Sequence, residues 1–71
     1  VDVMLQHDLA DVIRTAIDQL PERLRTAFVL HDVEELSMSD VADVLDIGVS
    51  AAKMRVARAR EVLRIDLNGR I

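Results

Sequence analysis

The sequence predicts an all-α fold of four helices, similar to a winged helix without its sheet, in which the last two helices form a helix-turn-helix. Three observations favour this class. Apolar residues recur at helical spacing in four separate stretches. The chain is rich in Leu, Val, Ile and Ala, with one aromatic residue, two glycines and one proline. Finally, a short acidic stretch and a longer basic one are joined by a glycine-containing turn, which is the sequence signature of the motif.

The length and composition indicate one domain spanning residues 1–71, near the lower size limit for independent folding. The absence of cysteine excludes disulfides and thiolate metal sites, so the core must be aliphatic. No apolar run approaches the roughly 20 residues that span a membrane, and no signal peptide is visible. We therefore expect a cytoplasmic location. Because the chain starts at Val1 rather than Met, we expect a fragment of a longer protein.

The first helix is predicted from about Val3 to Gln19, since apolar residues there share one helical face. This stripe consists of Leu5, Leu9, Val12, Ile13, Ala16, Ile17 and Leu20. Asp2 suits a capping position at the start of the helix. His7 lies among polar positions without the ligand set of a metal site, so we expect no metal.

Leu20-Pro21 predicts the end of the first helix, because proline disfavours helical backbone in the residue before it. Pro21 is suited to the first position of a second helix, which we expect to reach about Glu34. This helix has a wide apolar face and is expected to be the most buried: Leu24, Ala27, Phe28, Leu30 and Val33. Arg23, Arg25 and His31 are left for the outside, and His31 is interpreted as a surface or partly buried polar residue, or as a phosphate contact.

The third helix is short and should begin near Ser37, which stands three residues before Asp40 as in a capping box. Ser39 is a rival cap. About two turns follow, with Met38, Val41, Ala42 and Leu45 at apolar spacing. Such a short helix persists only when it is packed against others.

Asp46-Ile47-Gly48 is predicted to be the turn of the motif. Ile47 should be buried, which would fix the angle between the two helices. Gly48 would either adopt an unusual backbone angle or serve as a permissive N-cap.

The fourth helix is predicted from Val49 to about Leu67, with Asn68-Gly69 as its stop. Its apolar stripe is formed by Val49, Ala52, Val56, Ala59 and Leu63, and the positions between hold Lys53, Arg55, Arg58 and Arg60. The net charge of −4 is polarised along the chain. Residues 49–71 hold six basic and two acidic side chains, whereas residues 1–35 hold three basic and eight acidic ones. A basic stripe on one helix is the electrostatic signature of DNA binding.

Two segments, LPERLRTAFVLHDVEE (20–35) and LSMSDVADVLDIGVSAAKMRVARAREVL (36–63), resemble region 4 of bacterial sigma factors, and most of all the extracytoplasmic-function group. The family pattern has a Leu-Pro-x-Arg opening, a Phe-Val-Leu run, a helix led by Leu-Ser, and a basic recognition helix. The matching residues are Leu20-Pro21-Glu22-Arg23, Phe28-Val29-Leu30, Leu36-Ser37, and Val49 with Lys53, Arg55, Arg58, Ala59 and Arg60. The resemblance covers about Leu9 to Leu67.

The resemblance implies a transcription initiation factor that recognises the promoter −35 element. It also implies docking of the RNA polymerase β-flap on the apolar face of helices one and two, and occlusion by an anti-sigma factor. The implied DNA-contacting residues, facing bases or phosphates, are Ser50, Ala51, Lys53, Met54, Arg55, Ala57 and Arg58, with Arg23, Arg25 and His31 at flanking phosphates. No cofactor, small-molecule ligand or membrane is implied.

Four positions depart from the family pattern. Asp46 stands where glycine is common, and Gly48 where a capping serine is common. Met54 and Ala57 replace residues that are often polar, and Met54 is suited to packing on a thymine methyl rather than to hydrogen bonding. These departures leave the promoter sequence open and predict weak DNA binding by the domain alone.

Two other function classes remain as alternatives. A response-regulator type of helix-turn-helix would bind DNA as a dimer through a self-association face on the last helix. A helical protein-interaction module would not bind DNA, and the acidic net charge favours this alternative. An enzyme is not expected, because there is no glycine-rich phosphate loop, no cysteine and no Ser-His-Asp set.

Overall fold

The computed structural model describes the backbone of residues 2–70 and the side chains of residues 9–69. Its helices are α1 (Asp2–Asp18), α2 (Glu22–Phe28), α3 (Met38–Leu45) and α4 (Val49–Arg70), and a π-helical turn (Val29–Val33) extends α2. There is no strand between residues 2 and 70. The predicted all-α, four-helix class is confirmed. The side chains of Asp2, Leu5 and His7 lie outside the described residues.

Helix α4 is the element against which the other three helices pack. Its N-terminal half meets α2 and α3 in one core cluster made of Ala27, Val41, Ala42, Ala52 and Val56. Its C-terminal half meets α1 in a second cluster made of Ala16, Leu20, Ala59 and Leu63, with Leu24 and Phe28 of α2 packed against it. The predicted stripe of α4 is therefore its buried face, apart from Val49, which is 42% exposed.

The prediction that the second helix is the most buried was wrong. Ala27 is the one buried residue of α2, whereas α4 buries four. The stripe of α1 is also covered only in part, because Leu9 and Ile13 are 41% and 42% exposed. Both residues precede Ala16 and Leu20, through which this part of the chain packs on α4.

The second helix also ends differently from the prediction. Its α-helical part stops at Phe28, and Val29–Val33 continues as a wider turn in which the Glu34 amide donates to the Val29 carbonyl at 2.9 Å. Glu35 then adopts a left-handed conformation with φ 62°, and the Leu36 amide donates to Leu30 at 3.0 Å. Apolar spacing could not distinguish this wider turn from a regular helix, because both leave Leu30 facing the core.

Ser37 caps α3 as predicted, since its Oγ accepts a hydrogen bond from the Asp40 amide at 3.0 Å. The rival cap, Ser39, lies inside the helix. The cap matters because α3 has only eight residues. Its hydrogen bond satisfies one of the backbone amides that have no partner within the helix at its N-terminus, and this stabilises a short helix proportionally more.

The turn of the motif is closed by Asp46 rather than by glycine. Asp46 has φ 55° and ψ 50°, and the Ile47 amide donates to the Ala42 carbonyl at 3.0 Å, which is a Schellman arrangement. Ile47 is half-buried and packs on the cluster around Ala42. Gly48 has no positive φ and acts instead at the N-cap position, where its carbonyl accepts from the Ala52 amide at 3.0 Å.

The predicted stop at Asn68-Gly69 was wrong, because α4 runs on to Arg70. Gly69 does not adopt the left-handed conformation that would end the helix. Helix α4 is thus 22 residues long, and Leu67 still packs against the second core cluster, so only residues 68–70 of the helix lie beyond it.

Replacing Asp46 with Gly should raise the free energy of unfolding by up to about 1 kcal/mol, because glycine adopts the left-handed conformation without a Cβ penalty. The control Asp43→Gly, at an exposed position inside α3, should lower it by about 0.5–1 kcal/mol, since glycine is a poor helix former. Thermal unfolding followed by circular dichroism measures both. Destabilisation of similar size in the two variants would contradict the left-handed turn.

Candidate nucleic-acid interface

The exposed part of α4 carries positive charge that no described residue of the protein pairs. Lys53 and Arg58 are exposed and Arg55 is half-buried. None of the three makes a hydrogen bond or ion pair to any residue that the structure describes. They lie off the buried face formed by Ala52 and Val56, which are 0% and 1% exposed. At about 100° per residue, Lys53 flanks this face on one side and Arg55 and Arg58 on the other. This helix therefore offers cations to an external anion.

The start of α2 lies beside the same face of α4. A shallow groove of about 390 Å³ is lined by Arg23 and Leu24 from α2 and by Ala51, Met54, Arg55 and Arg58 from α4. A neighbouring depression shares Arg23 and Arg55 and continues to Leu45 of α3. The fold thus brings Arg23 together with Arg55 and Arg58, although the residues are about 30 positions apart in the sequence.

Arg25 and His31, which were also predicted at this interface, are each engaged inside the protein. The Arg25 guanidinium donates from Nη1 to the Asp18 carbonyl at 3.0 Å, which satisfies a carbonyl at the end of α1. The His31 ring lies 2.8 Å from the Leu36 carbonyl through Nδ1, so Nδ1 carries the proton. Both side chains keep further donors or a second ring nitrogen for an outside contact.

Arg60 belongs to the basic helix but differs from the other cations. Its Nε and Nη2 donate to the two carboxylate oxygens of Asp32 at 2.9 and 2.6 Å. This bidentate pair ties α4 to the π-helical turn, 28 residues earlier in the chain. Arg60 therefore ties α4 to the preceding turn. Its side chain is 55% exposed, but its charge is paired, unlike those of Lys53, Arg55 and Arg58.

The two hydrogen bonds from Arg60 lower the pKa of Asp32 below its ordinary value of 3.8, and they outweigh the opposing effect of partial burial. His31 Nε2 lies 3.9 Å from the same carboxylate and adds a smaller effect of the same direction when protonated. Because the pKa of Asp32 is lower in the folded protein, the pair stabilises the fold above pH 3.8. That contribution is lost as the pH falls through the lowered pKa.

Changing Asp32 to Asn should destabilise the protein by about 0.5–1 kcal/mol at neutral pH, the upper part of the range for solvent-accessible ion pairs. The difference from the wild type should shrink below pH 3.8, where the native carboxylate becomes protonated. Urea unfolding at a series of pH values measures it. The control Glu61→Gln removes a local, exposed pair with Arg64 and should have little effect. A constant Asp32→Asn penalty at all pH values would contradict the role of the charge.

Other kinds of site find little support in the described part of the chain. No group of three His, Asp or Glu side chains between residues 9 and 69 could hold a metal ion. None of the described helices combines the length and the hydropathy needed to cross a membrane.

The family model for sigma-70 region 4 matches residues 10–63, which cover α2, α3, α4 as far as Leu63 and about half of α1. This chain belongs to the sigma-70 region 4 family. The resemblance to sigma factor region 4, which was based on Leu20-Pro21, Phe28-Val29-Leu30 and the basic helix, is confirmed.

Curated sigma factors align over most of this region 4 chain. The ECF RNA polymerase sigma factor SigW of Bacillus subtilis is 36% identical over 66 residues, which are 93% of this chain and 35% of that protein. The ECF RNA polymerase sigma-E factor of Haemophilus influenzae is 38% identical over 60 residues, or 84% of this chain and 32% of the relative. The RNA polymerase sigma-H factor of Pseudomonas aeruginosa is 40% identical over 60 residues, 84% and 31% respectively. The chain spans about a third of the length of these relatives.

Proposed function

We propose that this region 4 chain is the −35-recognition domain of a sigma factor of the extracytoplasmic-function group, and that α4 enters the major groove of promoter DNA. The observation that carries the proposal is the set of unpaired cations on the outward face of α4, with Arg23 beside them. A helix fits the major groove, and its first turns reach the base edges.

The proposed contacts divide by chemistry. Ser50, Ala51, Lys53, Met54 and Ala57 are all exposed within the first turns of α4, where base edges would lie. Arg55, Arg58 and Arg23 line one groove and would meet bases or phosphates. Arg25 and His31 are proposed at flanking phosphates, where each would use donors that its internal hydrogen bond leaves available.

We propose that useful affinity comes from tethering to RNA polymerase. Phosphate neutralisation by a few cations gives non-specific dissociation constants of about 10⁻⁴–10⁻⁶ M at physiological salt. The remainder of this domain is acidic and adds no attraction. Attachment to polymerase raises the effective concentration of α4 at the promoter without any new contact to DNA.

The β-flap of RNA polymerase is the proposed protein partner. The family resemblance implies a site on the apolar face of helices one and two, and we propose instead an apolar surface formed with α4, away from the cations. A depression of about 390 Å³ is lined by Ala16 of α1, by Leu20 just after this helix, and by Val62 and Ile65 of α4. Val62 and Ile65 are 38% and 59% exposed, as Leu9 and Ile13 are on α1, so a partner would bury apolar area there. An anti-sigma factor covering this surface or the basic groove would block initiation.

Sigma factors are not enzymes in general, and the proposal assigns no catalytic residue, cofactor or small-molecule ligand. Its place of action is the cytoplasm, where promoter DNA and polymerase meet. Membership in the region 4 family does not favour a dimeric response-regulator type of regulator or an interaction module that never meets DNA.

Changing Arg55 and Arg58 to Ala should weaken binding to duplex DNA by about tenfold or more at low salt, because two phosphate-neutralising charges are lost. The slope of log K against log salt should also fall by about 1 for each phosphate contact removed. Fluorescence anisotropy with a labelled duplex at several salt concentrations measures both quantities.

Arg14→Ala is the matched control for each of the single variants Arg55→Ala and Arg58→Ala, since it likewise removes one arginine charge, from an exposed position of α1. It should leave both the affinity and the salt slope almost unchanged. Equal losses in the α1 and α4 variants would indicate only a response to net charge and would contradict recognition by α4. Concentration-dependent light scattering during binding would instead favour the dimeric regulator.

A further inference from the structure

Met54 occupies the point of α4 that faces farthest from the protein. It lies two residues from both Ala52 and Val56, so at about 100° per residue it is turned about 160° from each of these buried positions. Its side chain is 67% exposed, the highest value among the exposed large hydrophobic residues of the described chain. A large apolar group thus lies on the side of the basic helix that faces away from the protein, at the position that we call its outward pole.

The residues around Met54 leave its side chain free to protrude. On a helix surface its neighbours are three and four positions away, which here are Ser50, Ala51, Ala57 and Arg58. Three of these side chains are small, and all four residues are exposed. Met54 is therefore the one long apolar side chain of this patch, with cations at its sides.

Two turns later, the residue at the outward pole of α4 is acidic instead of apolar. Glu61 lies seven residues after Met54, and seven residues complete almost two full turns, so both point in nearly the same direction. Glu61 is exposed and pairs with Arg64 at 2.6 and 3.2 Å. A carboxylate at this pole is repelled by DNA phosphates, which limits the base-reading part of α4 to the turns before Glu61.

We infer that Met54 reads the C5-methyl group of a thymine in the major groove, an inference that rests on the proposed function. The thioether has no hydrogen to donate and accepts only weakly, so Met54 cannot read the polar pattern of a base edge. The thymine methyl is the apolar group that the major groove displays. The unbranched side chain adapts its shape to such a contact, and Ala51 and Ala57 allow the helix to approach closely.

The test begins with selection of duplexes from a random-sequence pool at low salt by the 71-residue chain. One thymine position should be enriched, and its replacement by deoxyuridine, which removes only the methyl, should weaken binding about fourfold. In the Met54→Ala chain the same replacement should change the affinity by less than about 1.5-fold. Met54→Leu, which keeps a large apolar side chain, should retain the dependence on the methyl. Fluorescence anisotropy measures each affinity.

Val44→Ala is the matched control, because it also truncates an exposed apolar residue but lies on α3, outside the patch around Met54. It should keep the fourfold effect of the methyl. Equal sensitivity to deoxyuridine in wild type and Met54→Ala would overturn the inference, as would a selected duplex with no methyl-sensitive thymine. In those cases the proposed function would still hold if Arg55→Ala and Arg58→Ala weaken binding. A chain that enriches no sequence at all would overturn the inference, and the proposed function would fail with it only if Arg55→Ala and Arg58→Ala leave DNA binding unchanged.

Discussion

The packing of Val41 and Ala42 of α3 against Ala52 and Val56 of α4 is the interaction on which the rest of the structure depends. All four residues are nearly inaccessible to solvent, and two of them are alanines, so the helix backbones approach closely. Because the same residues set the rotation of α4 about its own axis, they decide which side chains face outward. A rotation of α4 by one residue would bury Lys53 and expose the apolar stripe.

The charges of α4 are divided between holding the fold and meeting a partner. Arg60 is held by Asp32 and fixes α4 to the π-helical turn, while Lys53, Arg55 and Arg58 make no contact with the acids of the described chain. This division explains how a protein of net charge −4 can present a basic surface. The acids lie mainly on the other helices, so the field at the outward face of α4 is set by its own cations and Arg23.

Much of the fold could be predicted from sequence because its determinants are local. Helical periodicity indicates the stripe of α4, Ser37 lies at a recognisable cap, and Leu20-Pro21 marks a helix boundary. The missed features depend on structure that a pattern does not encode. The left-handed residue is Asp46 and not Gly48, because the Schellman hydrogen bonds of α3 end there. The π-helical turn and the continuation through Gly69 likewise leave no mark in apolar spacing.

The candidate site shows the same limit. The cations of α4 could be predicted from their spacing, and the family resemblance added Arg23, Arg25 and His31. The groove between α2 and α4 required the tertiary structure, as did the pairing of Arg60 with an acid 28 residues away. Exposure of Leu9 and Ile13 could not be foreseen either, since a helical stripe does not reveal where its packing partner ends.

The most direct test of the central claim is a nuclear magnetic resonance titration of the ¹⁵N-labelled chain with duplex DNA at low salt. The claim is that α4, which is held in place by packing against α3, presents its outward face to the major groove. The account predicts that the largest amide shift changes occur in residues 49–58 and at Arg23, with little change in α1. Changes centred on α1 and the last turns of α4, or spread evenly over the chain, would contradict it.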